Sequence, residues 1–267
     1  MGRKLGQHFL RNQHVLERIT AAAELRPGDA VLEVGPGEGV LTEHLLGTGA
    51  QLTSIELDHE LMGPLQQRFA GAENFRLLEG DVLKTDLTPA ALFEPLRPHP
   101  TQYTVAANLP YYVSTPILFR LWQVRQHIKR LVLMVQKEVA LRLAATPEEG
   151  KAYGSLSVAG QYGFEIRYLF TVPPGDFSPP PKVDSGVIAL IPKPSALPMA
   201  QEEAYLTHLK QLFSARRKVM LSTLKKHYPH LAAPVWETLA EELGKKRPEV
   251  LTPAEHLAVF QTLIQGN

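Results

Sequence analysis

One stretch, residues 30–46, limits the fold more than any other part of the chain. Ala30-Val31-Leu32-Glu33-Val34 is a short apolar run suited to a buried strand, entered through a Pro27-Gly28-Asp29 turn. It leads directly into Gly35-Pro36-Gly37-Glu38-Gly39, and then into Val40, Leu41, Leu45 and Leu46 at helical spacing. Strand, glycine turn and helix in this order form the first half of a nucleotide-binding βαβ unit, because glycines allow the backbone to approach a ligand at the helix N-terminus. A second strand, Gln51 to Ile55, ends in Glu56, where such units place the acid that binds ribose hydroxyls. A third, Phe75 to Leu78, leads into Glu79-Gly80-Asp81.

The glycine pattern is G-x-G-x-G, with Val40 where the last glycine of a dinucleotide fingerprint belongs. A nicotinamide oxidoreductase therefore becomes a distant alternative. Glu56 for a ribose and Asp81 for an adenine amine fit a nucleoside ligand without a pyrophosphate, such as S-adenosylmethionine. Asp81 also fits a plain turn residue.

Tyr103 to Ala107 is another short apolar run, followed by Asn108-Leu109-Pro110-Tyr111. The tetrapeptide should lie at the strand's carboxyl end, where open α/β sheets bind ligands. An amide that accepts and donates, a ring-fixed Pro and a flat aromatic suit a planar base with an exocyclic amine. A turn followed by a core aromatic explains the same four residues.

A helix from about Ser114, a strand from Leu131 to Val135 and a helix around Glu138 to Leu143 continue the alternation of a doubly wound sheet. Then the alternation breaks. Glu165 to Val172 and Val183 to Ile191 read as two strands joined by a proline-rich loop, and suggest an antiparallel hairpin at the sheet edge. Phe177 lies in that loop, where burial is a harder explanation for an apolar ring than stacking on a base.

Pro192 to Pro198 is a proline-rich linker, and helical periodicity fills the remainder. The expected organisation is a catalytic domain at 1–192 and a small helical domain at 199–267. Residues 208–230 hold six Lys or Arg and no Asp or Glu, which points to phosphate contacts through Arg216, Arg217, Lys218, Lys225 and Lys226. The net charge of only +1 makes any such surface a local patch. The absence of cysteine excludes disulfides and thiolate chemistry, and no metal-ligand cluster is visible: Asp58-His59-Glu60 reads as a helix cap. Met1 to Gln13 carries Arg3, Lys4 and Arg11 without a long apolar core, so neither a signal peptide nor a membrane span is expected, and a cytoplasmic site of action is.

Taken as an ordered set, Gly6-Gln7-His8-Phe9-Leu10, Glu33-Val34-Gly35-Pro36-Gly37, Ile55-Glu56-Leu57-Asp58, Gly80-Asp81, Asn108-Leu109-Pro110-Tyr111, Gln136-Lys137-Glu138-Val139, Tyr153-Gly154-Ser155-Leu156-Ser157 and the stretch Phe177 to Ser185 closely resemble the KsgA-type ribosomal RNA adenine dimethyltransferases. The resemblance implies an α/β, Rossmann-like S-adenosylmethionine-dependent methyltransferase sheet with an antiparallel edge hairpin, plus a small all-α C-terminal domain. It implies cofactor contacts from His8, Leu10, Gly35, Gly37, Glu56, Asp81 and Asn108. Position 8 is Asn in many relatives, and a backbone contact there would survive the change to His. Tyr112 also replaces a frequent Asn.

By the same resemblance, the substrate is a pair of adjacent adenosines in the 3'-terminal hairpin of 16S rRNA, presented in a small-subunit precursor; the enzyme itself is expected to be a monomer. Asn108 and the Pro110 carbonyl would accept the amine hydrogens, Leu109 would complete the motif, and Tyr111 and Phe177 would stack on a base turned out of its helix. Two alternatives stay open at this point: a large-subunit rRNA adenine methyltransferase, and a ribosome assembly factor acting mainly by binding.

Overall fold

The structure is a computed structural model that describes residues 8–96 and 98–266. Positions 3, 4, 6 and 7, used above, lie outside the described residues. The first elements are β1 (Phe9–Leu10), α1 (Gln13–Ala22), β2 (Ala30–Val34), α2 (Val40–Leu46), β3 (Gln51–Glu56), α3 (His59–Arg68) and β4 (Phe75–Glu79). There follow α4 (Pro89–Leu92), β5 (Tyr103–Asn108), α5 (Ser114–Gln123), β6 (Ile128–Gln136), α6 (Lys137–Ala144) and α7 (Ser155–Gly163). The chain ends with β7 (Phe164–Val172), β8 (Phe177–Ser178), β9 (Ser185–Pro192), α8 (Met199–Ser214), α9 (Met220–His227), α10 (Ala233–Leu243) and α11 (Pro253–Gln265).

Seven strands form one sheet in the order β4-β3-β2-β5-β6-β9-β7. The strands from β4 to β6 pair in parallel, and β9 runs antiparallel to β6 from Leu131↔Leu190 to Gln136↔Ser185. The central strands are buried along their length, as expected for a parallel sheet covered on both faces. Strand order reverses at β2, whose neighbours are β3 on one side and β5 on the other. Beside such a switch point the chains leave the sheet in opposite directions and open a crevice. The glycine turn and the Asn108 tetrapeptide both start there.

The expected hairpin lies at the sheet edge, with β9 beside β6 and β7 outermost. The burial patterns give the reason. Ser185 through Leu190 is buried at every position, whereas β7 alternates with exposed Glu165, Arg167 and Thr171 facing solvent.

Tertiary contacts divide the chain into two units: the described residues up to Ala140 with Arg167–Pro192, and Leu141–Ile166 with the described residues from Lys193 on. In the first, Leu10, Val15, Leu16, Ile19, Val31, Leu45, Leu52, Val132, Phe177 and Val187 share a buried apolar cluster. In the second, Leu212, Met220, Leu224, Leu239, Leu243, Val259 and Leu263 form another. The contact boundary differs from a cut between 192 and 199, because α7 packs with the C-terminal helices. The Tyr162 hydroxyl donates to Glu202 at 3.0 Å, and the Tyr153 hydroxyl to the Leu251 carbonyl at 2.7 Å.

Two buried imidazoles make the second unit acid-sensitive. Burial pushes His208 down to about 3 and His256 down to about 4, against 6.5 for a free imidazole. Unfolding restores the higher value, so this contribution is complete above the unfolded value and is lost as pH falls from there towards the folded values. Each histidine should cost about 1.4 kcal/mol per pH unit across that window. Amide exchange in α8 and α11 should therefore accelerate steeply between about pH 6.5 and pH 5; unchanged protection would contradict it.

Candidate active site

An open cleft lies in the first unit at the switch point, lined from four directions. The glycine turn forms its floor. Gly35 and Gly37 adopt φ of +68° and +59°, which side chains with a Cβ rarely tolerate. At Gly37 a Cβ would also approach the Phe9 ring to 3.0 Å, so the backbone itself lines the cleft.

Two carboxylates flank this turn. Glu56, at the end of β3 and 4% exposed, accepts from the Gly37 N–H at 3.1 Å and the Asp58 N–H at 2.9 Å. Burial raises its pKa, and the backbone donors partly offset the rise. Glu33, one residue before the end of β2 and 1% exposed, takes the Thr42 hydroxyl at 2.7 Å and the Ser54 hydroxyl at 2.8 Å, both on Oε2. Burial pushes it up to about 7, with nearby Glu56 adding to the rise.

Asn108, Leu109, Pro110 and Tyr111 form the facing wall. The Leu109 N–H is tied to the Met134 carbonyl at 3.0 Å, which continues the β5–β6 ladder one residue past the strand. Asn108 donates its side-chain N–H to the His8 carbonyl at 3.4 Å, which leaves Oδ1 without a donor among the described residues. The Tyr111 hydroxyl meets the Ser185 hydroxyl at 2.5 Å, so the phenol is held from β9. Burial raises its pKa and keeps it neutral.

His8, Phe9, Leu10 and Phe177 supply the remaining wall. They meet because β1 and β8 pair antiparallel, Phe9 with Ser178 and Leu10 with Phe177. The Arg11 N–H donates to the Asp176 carbonyl at 2.7 Å, the Asn12 amide to the Asp176 carboxylate at 2.8 Å, and the His8 ring bonds the Pro179 carbonyl at 2.8 Å.

Thus the structure gathers His8, Leu10, Gly35, Gly37, Glu56, Asn108, Leu109, Pro110, Tyr111 and Phe177 on one cleft. Asp81 is not among the residues lining it. It lies two residues past Glu79, the register partner of Glu56, and accepts from the Leu83 N–H at 3.0 Å. Phe177 corrects the reading of its loop: the ring is 5% exposed and belongs to the core cluster, because β1 and β8 fold the loop back onto α1, although it still borders the cleft.

Glu33 received no role from the sequence. The signal was there, an acid inside an otherwise apolar strand. Leu57 and Tyr112, 52% and 62% exposed, are two further unburied apolar side chains next to Glu56 and Tyr111.

In the second unit, Arg216, Arg217 and Lys218 occupy the turn joining α8 to α9, and Lys225 and Lys226 the last turn of α9. Arg216 is not a free cation. It pairs with Glu249 at 2.8 Å and donates to the carbonyls of Lys151 and Gly150 at 3.3 Å and 3.4 Å. Arg217, Lys218, Lys225 and Lys226 are exposed and make no ion pair with a described acid.

The cleft fits an adenosine cofactor bearing a positive charge. A carboxylate stands at a sheet terminus for hydroxyl groups, bare backbone lines the floor, and two buried acids have no Lys or Arg paired with them among the described residues. Among the described residues, no helix is long and apolar enough to cross a membrane.

A sequence model of a family described as ribosomal RNA adenine dimethylase matches residues 1–254. A ribosomal RNA small subunit methyltransferase A from Synechococcus elongatus is 48% identical over 231 residues, covering 85% of this chain and 82% of its own. Among solved structures, a dimethyladenosine transferase from Plasmodium falciparum superposes with a TM-score of 0.80 at 26% identity, over 97% of this chain and 98% of that one. The 23S rRNA methyltransferase ErmE superposes at 0.73, also at 26% identity, over 96% and 100%.

Proposed function

The chain belongs to the ribosomal RNA adenine dimethylase family, and from that membership we propose that it dimethylates the exocyclic amines of two adjacent adenosines in the 3'-terminal hairpin of 16S rRNA. It is an S-adenosylmethionine-dependent enzyme. Small-subunit RNA is favoured over large-subunit RNA by the 48% identity to a small-subunit enzyme, since a dimethyladenosine transferase and a 23S rRNA methyltransferase share the fold at equal identity. The carrying observation is that Asn108, Pro110 and Tyr111 share one cleft with Glu56 and the glycine turn, so a base and a cofactor can meet.

The bound cofactor supplies an electrophilic methyl group. Glu56 accepts the ribose hydroxyls, and the hydrogen bond it accepts from the Gly37 N–H holds that turn in place. Leu57 offers an apolar face to the adenine ring, and Asp81 accepts from its amine. An adenine amine is a weak nucleophile because its lone pair is delocalised into the ring. Asn108 Oδ1 and the Pro110 carbonyl accept the two amine hydrogens and turn that pair towards the methyl, and the Tyr111 ring holds the extruded base. Leu109, buried and anchored to β6, fixes the spacing between the two acceptors. No base is needed before transfer, because the amine proton becomes acidic only as the new bond forms.

The helical unit binds the phosphate backbone of the small-subunit precursor, and the enzyme acts as a monomer in the cytoplasm. Purified protein with labelled S-adenosylmethionine should label undermethylated small subunits at two adjacent adenosines. Label on large-subunit RNA would overturn the substrate.

Arg217→Ala with Lys218→Ala should lower the salt dependence of particle binding by about 0.7 to 0.9 per lost contact, with Tm unchanged. Arg216→Ala should instead lower Tm, because it leaves Glu249 and the Lys151 carbonyl without their partner. An unchanged salt slope for the first variant would remove these residues from the interface.

A further inference from the structure

Glu33 and Glu56 border one cleft, but they are held differently. Glu56 takes two backbone N–H groups, which stabilise its charge. Glu33 takes only two neutral hydroxyls, from α2 and β3, both on Oε2, and no described group donates to Oε1. No described Lys or Arg pairs with either acid. The other titratable groups on the cleft are already engaged: Glu38 with Arg11 at 2.7 Å, His8 with the Pro179 carbonyl, and Tyr111 with Ser185.

A buried carboxylate without a cation partner holds a proton until a positive charge arrives. The cofactor brings that charge on its sulfonium, and the demethylated product has a neutral thioether in the same place. The rest of the two molecules is identical. We propose that Glu33 is a specificity-determining residue that distinguishes cofactor from spent product: its carboxyl proton passes to solvent when the sulfonium form binds, and is regained from solvent once the thioether remains.

The free protein then favours the cofactor over the product by an amount that grows with pH, and methyl transfer itself weakens the hold on the product. This inference rests on the S-adenosylmethionine reading of the cleft. It is independent of which RNA is methylated. Burial has already raised the Glu33 carboxyl to about 7, which places the exchange near neutral pH.

Calorimetric titration of the whole protein with S-adenosylmethionine, and separately with S-adenosylhomocysteine, in buffers of different ionisation heat tests the proposal. Near pH 7 the cofactor should release about half a proton and the product much less. The ratio of the two affinities should rise by up to about tenfold per pH unit below pH 7. Glu33→Gln should abolish the difference in proton release. In ligand-free protein, the Glu33 contribution to stability is complete below the ordinary carboxylate range and lost as pH rises through about 7, and the Gln variant should lack that loss.

Equal proton release with both ligands, or a Gln variant that still releases a proton, overturns the proposal. Should the variant not fold, the wild-type comparison of the two ligands decides alone. Failure of both ligands to bind would overturn the cofactor reading and this inference together, whereas binding without a difference in protons removes only the inference.

Discussion

Asn108→Ala should reduce methyl transfer by about a hundred- to a thousandfold, while S-adenosylmethionine affinity falls by less than tenfold. The side chain removed carries Oδ1, which no described residue occupies, at the end of a strand whose next N–H is locked to Met134. The acceptor is therefore rigid and pointed by the sheet, which is the condition under which a single hydrogen bond orients a reacting group. Asn108→Asp keeps an acceptor there but sets a carboxylate oxygen against the His8 carbonyl, so it should retain more activity than the alanine variant. Single-turnover transfer to undermethylated subunits measures both, and a wild-type rate in Asn108→Ala would remove the residue from the mechanism.

Glu56→Ala should weaken S-adenosylmethionine binding by about a hundred- to a thousandfold. Two charge-assisted hydrogen bonds to ribose hydroxyls are worth about 3 to 4 kcal/mol together. The variant also frees the Gly37 N–H, which Glu56 now holds at 3.1 Å, and so loosens the cleft floor. Glu56→Gln keeps one acceptor oxygen without the charge and should lie between. Binding calorimetry reads the effect directly, with circular dichroism to verify the fold; an unchanged affinity would place the ribose elsewhere.

Both residues are visible in the sequence. Glu56 and Asn108 are legible because each ends a short apolar strand, and strand ends at a switch point are where open sheets hold ligands. Asp58 is legible as well, since it caps α3 by accepting from the Glu60 N–H at 3.0 Å. Phe177 reads in the sequence as an uncovered loop residue, but it forms β8 and is covered by β1, more than 160 residues earlier in the chain. Arg216 looked like its neighbours in a run without acids, yet Glu249 reaches it from a distant turn.

The sequence alone determined the succession of strands and helices, the glycine turn after β2 and the strand ends that carry Glu56 and Asn108. These follow from local periodicity and backbone preference, which each segment contains in itself. Only the tertiary structure decided that residues 8–10 and 177–178 would close the cleft together, that β9 would lie inside the sheet, that α7 would join the C-terminal helices and that Glu33 would be buried without a cation. Burial, pairing and charge depend on which remote segments come to lie within a few ångströms, and a pattern within one segment records which face is apolar but not what will cover it.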